Sequence, residues 1–260
     1  MLKWKRFAMD LAHKSGFLLK EKFNNTHKIQ YKGDIDIVTE ADKMSEDLII
    51  DAIKRNFPDH GILLEESPAI TGTGKLRWII DPLDGTTNYS HGYPVFCVSI
   101  ALENEGTIVL GVIYDPMRED MFVAVRGEGA YLNDKKLDVS RTDNISRSLL
   151  ATGFPYDIRE SKENNLDYFN AMATKVQAIR RAGSAALDLA YLAAGRFDGF
   201  WELKLKPWDT AAGCLLVTEA GGKISDIAGS KWHLQSPTLL ASNGLIHEQM
   251  IDILQDVEKK

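Results

Sequence analysis

Apolar residues recur at helical spacing near the start of the chain and predict an amphipathic helix over residues 3–23. A second helix is predicted to begin after Thr39, because threonine is a good N-cap and the apolar residues that follow keep helical spacing to about Phe57. Short apolar runs come next. They predict strands at 62–64, 78–80, 95–102 and 107–114, with 103–106 as a hairpin loop.

The second half of the chain continues this alternation. Helices are predicted at 161–173 and 184–194, from 206 onward and from 245 to the end, and strands at 121–125, 130–132, 147–152, 176–179, 197–203, 223–226 and 238–241. No repeat or Pro-rich linker interrupts the pattern, which is typical of a mixed α/β fold built in layers. We expect a single domain over 1–260, although an N-terminal α+β part of about 1–140 and a C-terminal α/β part of about 141–260 would also suit this length.

The composition adds limits on compartment and partners. The chain has 31 Lys and Arg against 37 Asp and Glu, a net charge of −6, so general binding to nucleic acid or to an anionic membrane is not expected. No apolar run reaches the ~18 residues of a membrane span, and the first residues are too polar for a signal peptide. Cys97 and Cys214 lie in apolar surroundings, which predicts buried free thiols and a cytoplasmic location.

Acidic side chains stand where several buried elements begin or end. The strand predicted at 78–80 runs into Asp81-Pro82-Leu83-Asp84-Gly85, where it is expected to end in a tight turn. Such a run would also suit a turn with solvated acids. Glu65 follows another short strand, however, and Asp209 opens a predicted helix. We therefore expect these four acids, with Asp42 and Glu202 as weaker members, to converge on one site.

The residue types at this site indicate a hard divalent cation. Carboxylates held close together raise each other's pKa unless a cation lies between them, and a set without His or Cys favours Mg²⁺ or Mn²⁺ over Zn²⁺. Two such ions, roughly 3.5–4 Å apart, would clamp a phosphate and activate water. Gly85 frees the backbone for a helix beginning near Thr86, whose N–H groups suit a phosphate and whose hydroxyl could position the attacking water.

Four segments in order resemble the inositol monophosphatase family of metal-dependent, lithium-sensitive phosphatases. They are residues 36–42 (DIVTEAD), 65–66 (EE), 81–86 (DPLDGT) and 208–212 (WDTAA), and the resemblance covers roughly 30–225. It implies an α-β-α-β-α sugar-phosphatase sandwich and a homodimer. It also implies a small phosphorylated polyol or sugar as substrate and two or three Mg²⁺ ions, with Mn²⁺ as an alternative.

The same resemblance assigns roles to individual residues. The metal ligands would be Glu65, Asp81, the Leu83 carbonyl, Asp84 and Asp209. Thr86 and Asp42 would orient and deprotonate the attacking water, with Glu65 as the third catalytic residue. The phosphate and the alcohol would be bound by Gly85, Thr86, Gly183, Ser184, Ala185 and Glu202.

The expected substrate is myo-inositol monophosphate, because the run DGTTNY-x-HG resembles the inositol-phosphatase branch and Glu202 suits a polyol hydroxyl. Fructose 1,6-bisphosphate, or dual specificity, is the alternative, and a regulatory binding protein that keeps the fold is a third. Asp42 could also simply cap its helix. Arg180 and Arg181 could contact substrate or a second subunit, and Asp188 and Asp198 are expected to be ordinary surface or helix acids.

Overall fold

A computed structural model describes residues 1–23, 29–31 and 37–258, and Asp36 of the first matched segment lies outside this part of the chain. The helices are α1 (Leu2–Lys22), α2 (Glu40–Asn56), α3 (Thr86–Ser90), α4 (Leu166–Ala173), α5 (Ala185–Ala193), α6 (Pro207–Glu219) and α7 (His247–Glu258). The strands are β1 (Ile29–Tyr31), β2 (Ile37–Thr39), β3 (Gly61–Leu64), β4 (Leu76–Asp84), β5 (Cys97–Asn104), β6 (Thr107–Asp115), β7 (Asp120–Val125), β8 (Gly129–Leu132), β9 (Lys135–Lys136), β10 (Leu149–Thr152), β11 (Ala178–Arg180), β12 (Gly199–Leu203), β13 (Lys223–Ser225) and β14 (Thr238–Ser242).

Within the described residues these strands form three sheets. The seven-stranded sheet has the order β3-β4-β5-β6-β7-β8-β9, in which β3 is parallel to β4 and the remaining neighbours are antiparallel. The five-stranded sheet has the order β11-β10-β12-β14-β13, with β10 parallel to both β11 and β12. The short strands β1 and β2 pair with each other.

The helices separate and cover the two large sheets. Helices α1 and α2 pack on one face of the seven-stranded sheet, and α5 and α6 fill the space between the sheets. Helices α4 and α7 cover the outer face of the five-stranded sheet. The expected layered α-β-α-β-α arrangement is therefore confirmed.

Local signals located most of the elements correctly. Thr39 caps α2, and β5 and β6 form the expected hairpin. The predicted helix at 161–173 begins only at Leu166. Side chains compete with the helix before that point, since Ser161 Oγ accepts from the Glu163 N–H at 3.1 Å and Asn164 Oδ1 from the Leu166 N–H at 3.1 Å. The short strands β1, β2 and β9 were not predicted.

Several further expectations can be compared with the structure. Cys97 and Cys214 are buried free thiols, as predicted. Asp198, expected to be an ordinary acid of the surface or of a helix, is buried and accepts from Ser140 Oγ at 2.6 Å and from the Leu149 N–H at 2.7 Å. Asp198 therefore connects the loop that contains Ser140 to the start of β10. None of the helices in the described residues combines the length and apolar character that a membrane crossing requires.

Candidate active site

A cavity of about 450 Å³ lies where the segments following β3, β4, β10 and β12 meet the first turns of α5 and α6. Every residue predicted as a metal ligand or as a substrate contact lines it. These residues are Glu65, Asp81, Leu83, Asp84, Gly85, Thr86, Gly183, Ser184, Ala185, Glu202 and Asp209. Asp42 does not line the cavity but reaches it through Thr86.

A β-bulge explains how Asp81 and Asp84 face the same cavity. Contrary to the expected tight turn, β4 continues through both acids to Asp84. Residues three apart on a regular strand point to opposite faces. Here Asp81 pairs with Ser99 and Asp84 with Cys97, so β4 contains one extra residue and both acids lie on one side. Pro82 occupies the bulge, where no ladder N–H is needed.

Helix α2 holds this bulge in place. Ser45 of α2 donates from Oγ to the Pro82 carbonyl at 2.8 Å, and the Leu83 N–H donates to Asp81 Oδ1 at 3.0 Å. Both bonds are buried, so the loop between the two acids is fixed by helix and strand rather than by solvent.

Burial and neighbouring charges both act on Asp81, one of the predicted ligands. Its side chain is 2% exposed, so the alternative of a solvated acidic turn is wrong for this residue. Burial raises its pKa well above the usual range, and the charges of Glu65, Asp84 and Asp209 raise it further. Asp81 also shares a hydrogen bond with Glu65.

Asp84 docks on the N-terminus of α5. Its Oδ2 accepts from Ser184 Oγ at 2.6 Å and from the Ala186 N–H at 2.7 Å. Burial raises the pKa of Asp84, and these hydrogen bonds partly offset that rise. Ser184, predicted as a wall for the alcohol, thus also orients a predicted metal ligand.

Asp209 lies in the first turn of α6, as its place in the sequence suggested. Its Oδ2 accepts from the Lys206 N–H at 2.6 Å, which completes the start of the helix after Pro207 at the first position. Burial and then the charge of Asp84 raise the pKa of Asp209 to about 8.

The chemistry of these donors fits a hard cation. Carboxyl groups that raise one another's pKa face a shared cavity, and Leu83, which stands between Asp81 and Asp84 in the sequence, lines it too. Among the residues that the structure describes, no three His, Cys, Asp or Glu side chains are already arranged as a metal site. The ligand assignments therefore stay predictions.

Thr86 connects the cavity to Asp42. Its Oγ1 lies 2.9 Å from Asp42 Oδ1 and 3.0 Å from the Leu83 carbonyl oxygen. The other carboxyl oxygen of Asp42 accepts from the N–H of Thr39 at 2.8 Å and from its hydroxyl at 2.5 Å. Asp42 thus caps α2 and contacts Thr86 at the same time. Burial raises its pKa, although these hydrogen bonds oppose the rise.

The position before α3, occupied by Gly85, requires glycine. Its φ of 99° lies in the left-handed region, and an added Cβ would lie 2.9 Å from the Val95 carbonyl oxygen. Asn88 of α3 then donates to the carbonyls of Val95 at 2.7 Å and Ala182 at 2.8 Å. The Gly85–Thr86 turn is thereby tied to the Gly183 turn across the cavity.

Glu202 forms part of the opposite wall. It is 8% exposed, and burial raises its pKa to about 8 against the opposing charge of Arg181. Gly153 is packed against this carboxyl group so closely that a Cβ there would overlap it. The absence of a side chain at Gly153 therefore leaves room for the Glu202 carboxyl group, and the sequence analysis did not single out this glycine.

Part of the cavity wall was missed at the sequence level. Residues 152–157 and Lys204 line it, and so does Arg181, for which a substrate contact and a subunit contact had both been left open. Arg180 is exposed. The available signal was topological, because ligands in α/β sheets tend to bind beyond the carboxyl ends of parallel strands, where residues 152–157 follow β10.

The structure corrects the expectation for Asp188. It was expected to be an ordinary acid of the surface or of a helix. It lies in the first turn of α5 but is buried and lines the cavity. Burial raises its pKa well above the usual range, and the charges of Glu202 and Asp84 act in the same direction.

Buried acids that repel one another suit a ligand that arrives with compensating cations, and a polar wall a few residues away suits its alcohol portion. That combination suits phosphate esters, so the fold and the cavity point to the class of phosphatases, hydrolases of phosphorylated substrates. The chain belongs to the inositol monophosphatase family, whose model it matches over residues 1–259.

Known proteins agree with this assignment over nearly the whole chain. The chain is 42% identical to inositol-1-monophosphatase from Synechocystis sp., over 96% of this chain and 88% of that one. It is 41% identical to Nus factor SuhB from Escherichia coli K12, over 96% of this chain and 94% of that one.

Solved structures agree as well. Inositol monophosphatase from Anabaena superposes with a TM-score of 0.90 at 41% identity, covering 98% of this chain and 96% of that one. Extragenic suppressor protein suhB from Bartonella henselae superposes with a TM-score of 0.92 at 40% identity, covering 96% of this chain and 97% of that one.

Proposed function

We propose that this protein is a Mg²⁺-dependent phosphomonoesterase whose preferred substrate is myo-inositol monophosphate. The observation that carries the proposal is the buried position of Asp81 against Glu65, Asp84 and Asp209, in a cavity whose far wall is polar. Like charges buried together are unfavourable unless cations bind there. Bound Mg²⁺ or Mn²⁺ would supply neutralisation of the phosphate and acidification of the attacking water.

The ligands proposed for these ions follow the sequence prediction. Glu65, Asp81 and the Leu83 carbonyl would hold one, and Asp81, Asp84 and Asp209 a second. Glu65 could share a third.

The residues of the chain would orient water and substrate. Thr86 donates its hydroxyl proton towards Asp42 or Leu83, which leaves Thr86 Oγ1 free to accept a hydrogen bond from the attacking water. When the water gives a proton to Thr86, Asp42 is suited to take up the hydroxyl proton of Thr86, because burial raises the pKa of Asp42. The N–H groups of Gly85 and Thr86 would contact the phosphate. Gly183, Ser184, Ala185 and Glu202 would face the alcohol.

Related assignments complete the proposal. The family resemblance predicts a homodimer that is inhibited by lithium, and the two free thiols predict a cytoplasmic location. Fructose 1,6-bisphosphate, alone or as a second substrate, is the alternative, and Arg181 at the cavity would suit a second anionic group. Relatives named Nus factor SuhB make a binding role a further candidate. The chain nevertheless keeps every predicted metal ligand, which favours an enzyme.

The direct experiment measures phosphate release. With Mg²⁺, we expect the wild-type rate on inositol 1-phosphate to exceed the rates on fructose 1,6-bisphosphate and nucleotide monophosphates. Asp84→Asn should lower kcat by at least ~10³-fold with the fold intact, because it removes a charge from the proposed cation site. Asp134→Asn, the same change at an exposed position, is the control.

Two results would contradict the proposal at different points. A higher kcat/KM on fructose 1,6-bisphosphate than on inositol 1-phosphate would show that the proposed substrate is wrong. Near-normal turnover of Asp84→Asn would show that the proposed metal mechanism is wrong.

A further inference from the structure

The search for chemistry that the proposed function does not use leads to Asp188. Helix α5 has the sequence AALDLAYLA, and from Ala186 to Ala193 each residue is buried between the two large sheets. Asp188 is 1% exposed. An ionisable group in such a helix requires a reason, because a buried charge is unfavourable without a partner.

Helix capping does not supply that reason. An acid near a helix start usually accepts from N–H groups of the first turn. In α5 these donors are already engaged, since Ala186 N–H donates to Asp84 and Leu187 N–H donates to Ser184 Oγ at 3.3 Å. The backbone N–H of Asp188 itself donates to the Ser184 carbonyl at 3.0 Å. The carboxyl group is left without a role at the helix start.

Asp188 Oδ1 is also without a partner inside the protein. In the part of the chain that the structure describes, this buried oxygen accepts no hydrogen bond and Asp188 takes part in no ion pair. Leaving a buried acceptor unsatisfied disfavours the folded state, so such groups usually bind water or ligand.

The surroundings indicate which ligand would satisfy this oxygen. Asp188 lines the same cavity as Glu202 and Arg181, close enough for their charges to act on it. Glu202 is the residue proposed to accept from a polyol hydroxyl. Two carboxyl groups in one wall could therefore accept from two hydroxyls of the same ring, while Arg181 offsets part of their charge.

We propose that Asp188 is a specificity-determining residue that hydrogen-bonds a ring hydroxyl of the substrate beside the one held by Glu202. This inference rests on the proposed phosphatase function. It names the substrate class as monophosphates of cyclic polyols that carry hydroxyls on neighbouring carbons. Asp188 binds the alcohol and takes no part in attack at phosphorus.

The test compares Asp188→Asn with wild type on two substrates. Inositol 1-phosphate carries ring hydroxyls, whereas p-nitrophenyl phosphate carries none. We expect kcat/KM on inositol 1-phosphate to fall by about tenfold or more, mostly through KM, with less than about a twofold change on p-nitrophenyl phosphate. Asp167→Asn, the same change in the first turn of α4 at an exposed position, should leave both substrates unchanged.

A series of deoxy analogues locates the contact. In each analogue one hydroxyl of inositol 1-phosphate is replaced by hydrogen. The penalty of Asp188→Asn should persist for most analogues and disappear for the one that lacks the hydroxyl bound by Asp188. An equal penalty for every analogue, or an equal penalty on p-nitrophenyl phosphate, would overturn the inference and indicate a structural role.

Folding and the proposed function are checked separately. Thermal unfolding of metal-free Asp188→Asn should give a Tm equal to or above wild type, because asparagine keeps the shape of the side chain and cannot ionise in this buried position. Asp188→Ala provides a second variant with the same expected substrate pattern. Wild-type activity decides the proposed function, and variant-to-wild-type ratios decide the role of Asp188. Wild type without activity on any polyol phosphate would overturn both.

Discussion

At the scale of single residues, burial acts on Asp81, Asp84 and Asp209, and like charges act in the same direction on Asp81 and Asp209. Each of these carboxyl groups has a raised pKa, with burial as the largest cause. Side chains arranged in this way do not help the chain to fold, since buried like charges disfavour the folded state. Their arrangement is understandable as preparation for a divalent cation, which would favour the charged form of all three.

Thr86→Val tests the link between the cavity and Asp42. Valine keeps the shape of threonine but removes the hydroxyl that lies 2.9 Å from Asp42 Oδ1. Because this hydroxyl is proposed to orient the attacking water, kcat on inositol 1-phosphate should fall by about 10²–10³-fold with little change in KM. Steady-state rates at saturating Mg²⁺ measure this.

The control for this experiment is Thr107→Val, the same change at an exposed position of β6 that does not line the cavity. It should keep kcat within about threefold of wild type. If Thr86→Val behaved like this control, the proposed water-orienting role would be wrong.

Glu202→Gln tests the electrostatic state of the alcohol wall. Burial raises the pKa of Glu202 from 4.5 to about 8, so folding favours the protonated form. The stability of the metal-free wild type should therefore decrease as pH rises from 4.5 towards 8, by roughly 3 kcal/mol at pH 7 from this group. The glutamine variant cannot ionise, so its free energy of unfolding should exceed that of wild type at pH 8.

Urea unfolding at pH 5 and pH 8 measures this difference, with the exposed Glu163→Gln as the control. Wild type and Glu202→Gln with the same pH dependence would show that Glu202 ionises normally in the folded protein.

The sequence predicted those site residues that stand at the junction of a buried element and a loop. Glu65, Asp81 and Asp209 were found in this way, and each lines the cavity. Asp188 was missed because an acid inside a helical pattern is normally placed on the solvent face. Only the packing of α5 between two sheets shows that this helix has no solvent face there.

At the scale of elements, glycines allow α6 to pack closely in the middle layer. An added Cβ at Gly111 of β6 would lie 2.8 Å from the Ala212 carbonyl oxygen of α6. An added Cβ at Gly213 would lie 2.6 Å from Leu189 Cβ of α5. Helix α6 therefore packs closely against both a sheet and a helix at positions without side chains, and Asp209 lies in the first turn of this helix.

Gly111→Ala should destabilise this packing. The clash involves backbone atoms, which cannot rotate away, so overpacking should lower the free energy of unfolding by about 1–3 kcal/mol. Gly61→Ala is the matched control in another strand, since its nearest neighbours lie at 3.4 Å, an ordinary contact distance. Urea unfolding compares the two, and equal stabilities would contradict the close approach of α6 to β6.

Most element types followed from local signals, whereas some boundaries depended on contacts distant in sequence. The N-cap at Thr39 and the apolar spacing after it were enough to place α2. The end of β4 could not be placed in this way, because the ladder through Asp81 and Asp84 is formed by β5 and a bulge. Pro82 between two acids favours a turn locally, and the sheet overrides that preference.

At the scale of the whole molecule, the cavity draws its groups from three layers. Asp81 comes from the seven-stranded sheet, Asp209 from the middle helices and Glu202 from the five-stranded sheet. The alternation of helices and strands predicted layers, and the family resemblance supplied their order. The strand order β11-β10-β12-β14-β13 was not predictable, because it depends on pairings distant in sequence that leave no local signal.

A cation bound where these layers meet should stabilise all of them together. A ligand that binds only the folded state adds about 2.7 kcal/mol at a concentration of 100 times its Kd. If 1–260 is a single domain, hydrogen exchange followed by mass spectrometry should give similar opening free energies for β5 and β12. Mg²⁺ should raise both by the same amount, because the two sheets would open only together.

Asp84→Asn should abolish the rise in both strands. Protection that rises in β5 alone, or separate opening of the two strands, would instead favour independent parts of about 1–140 and 141–260.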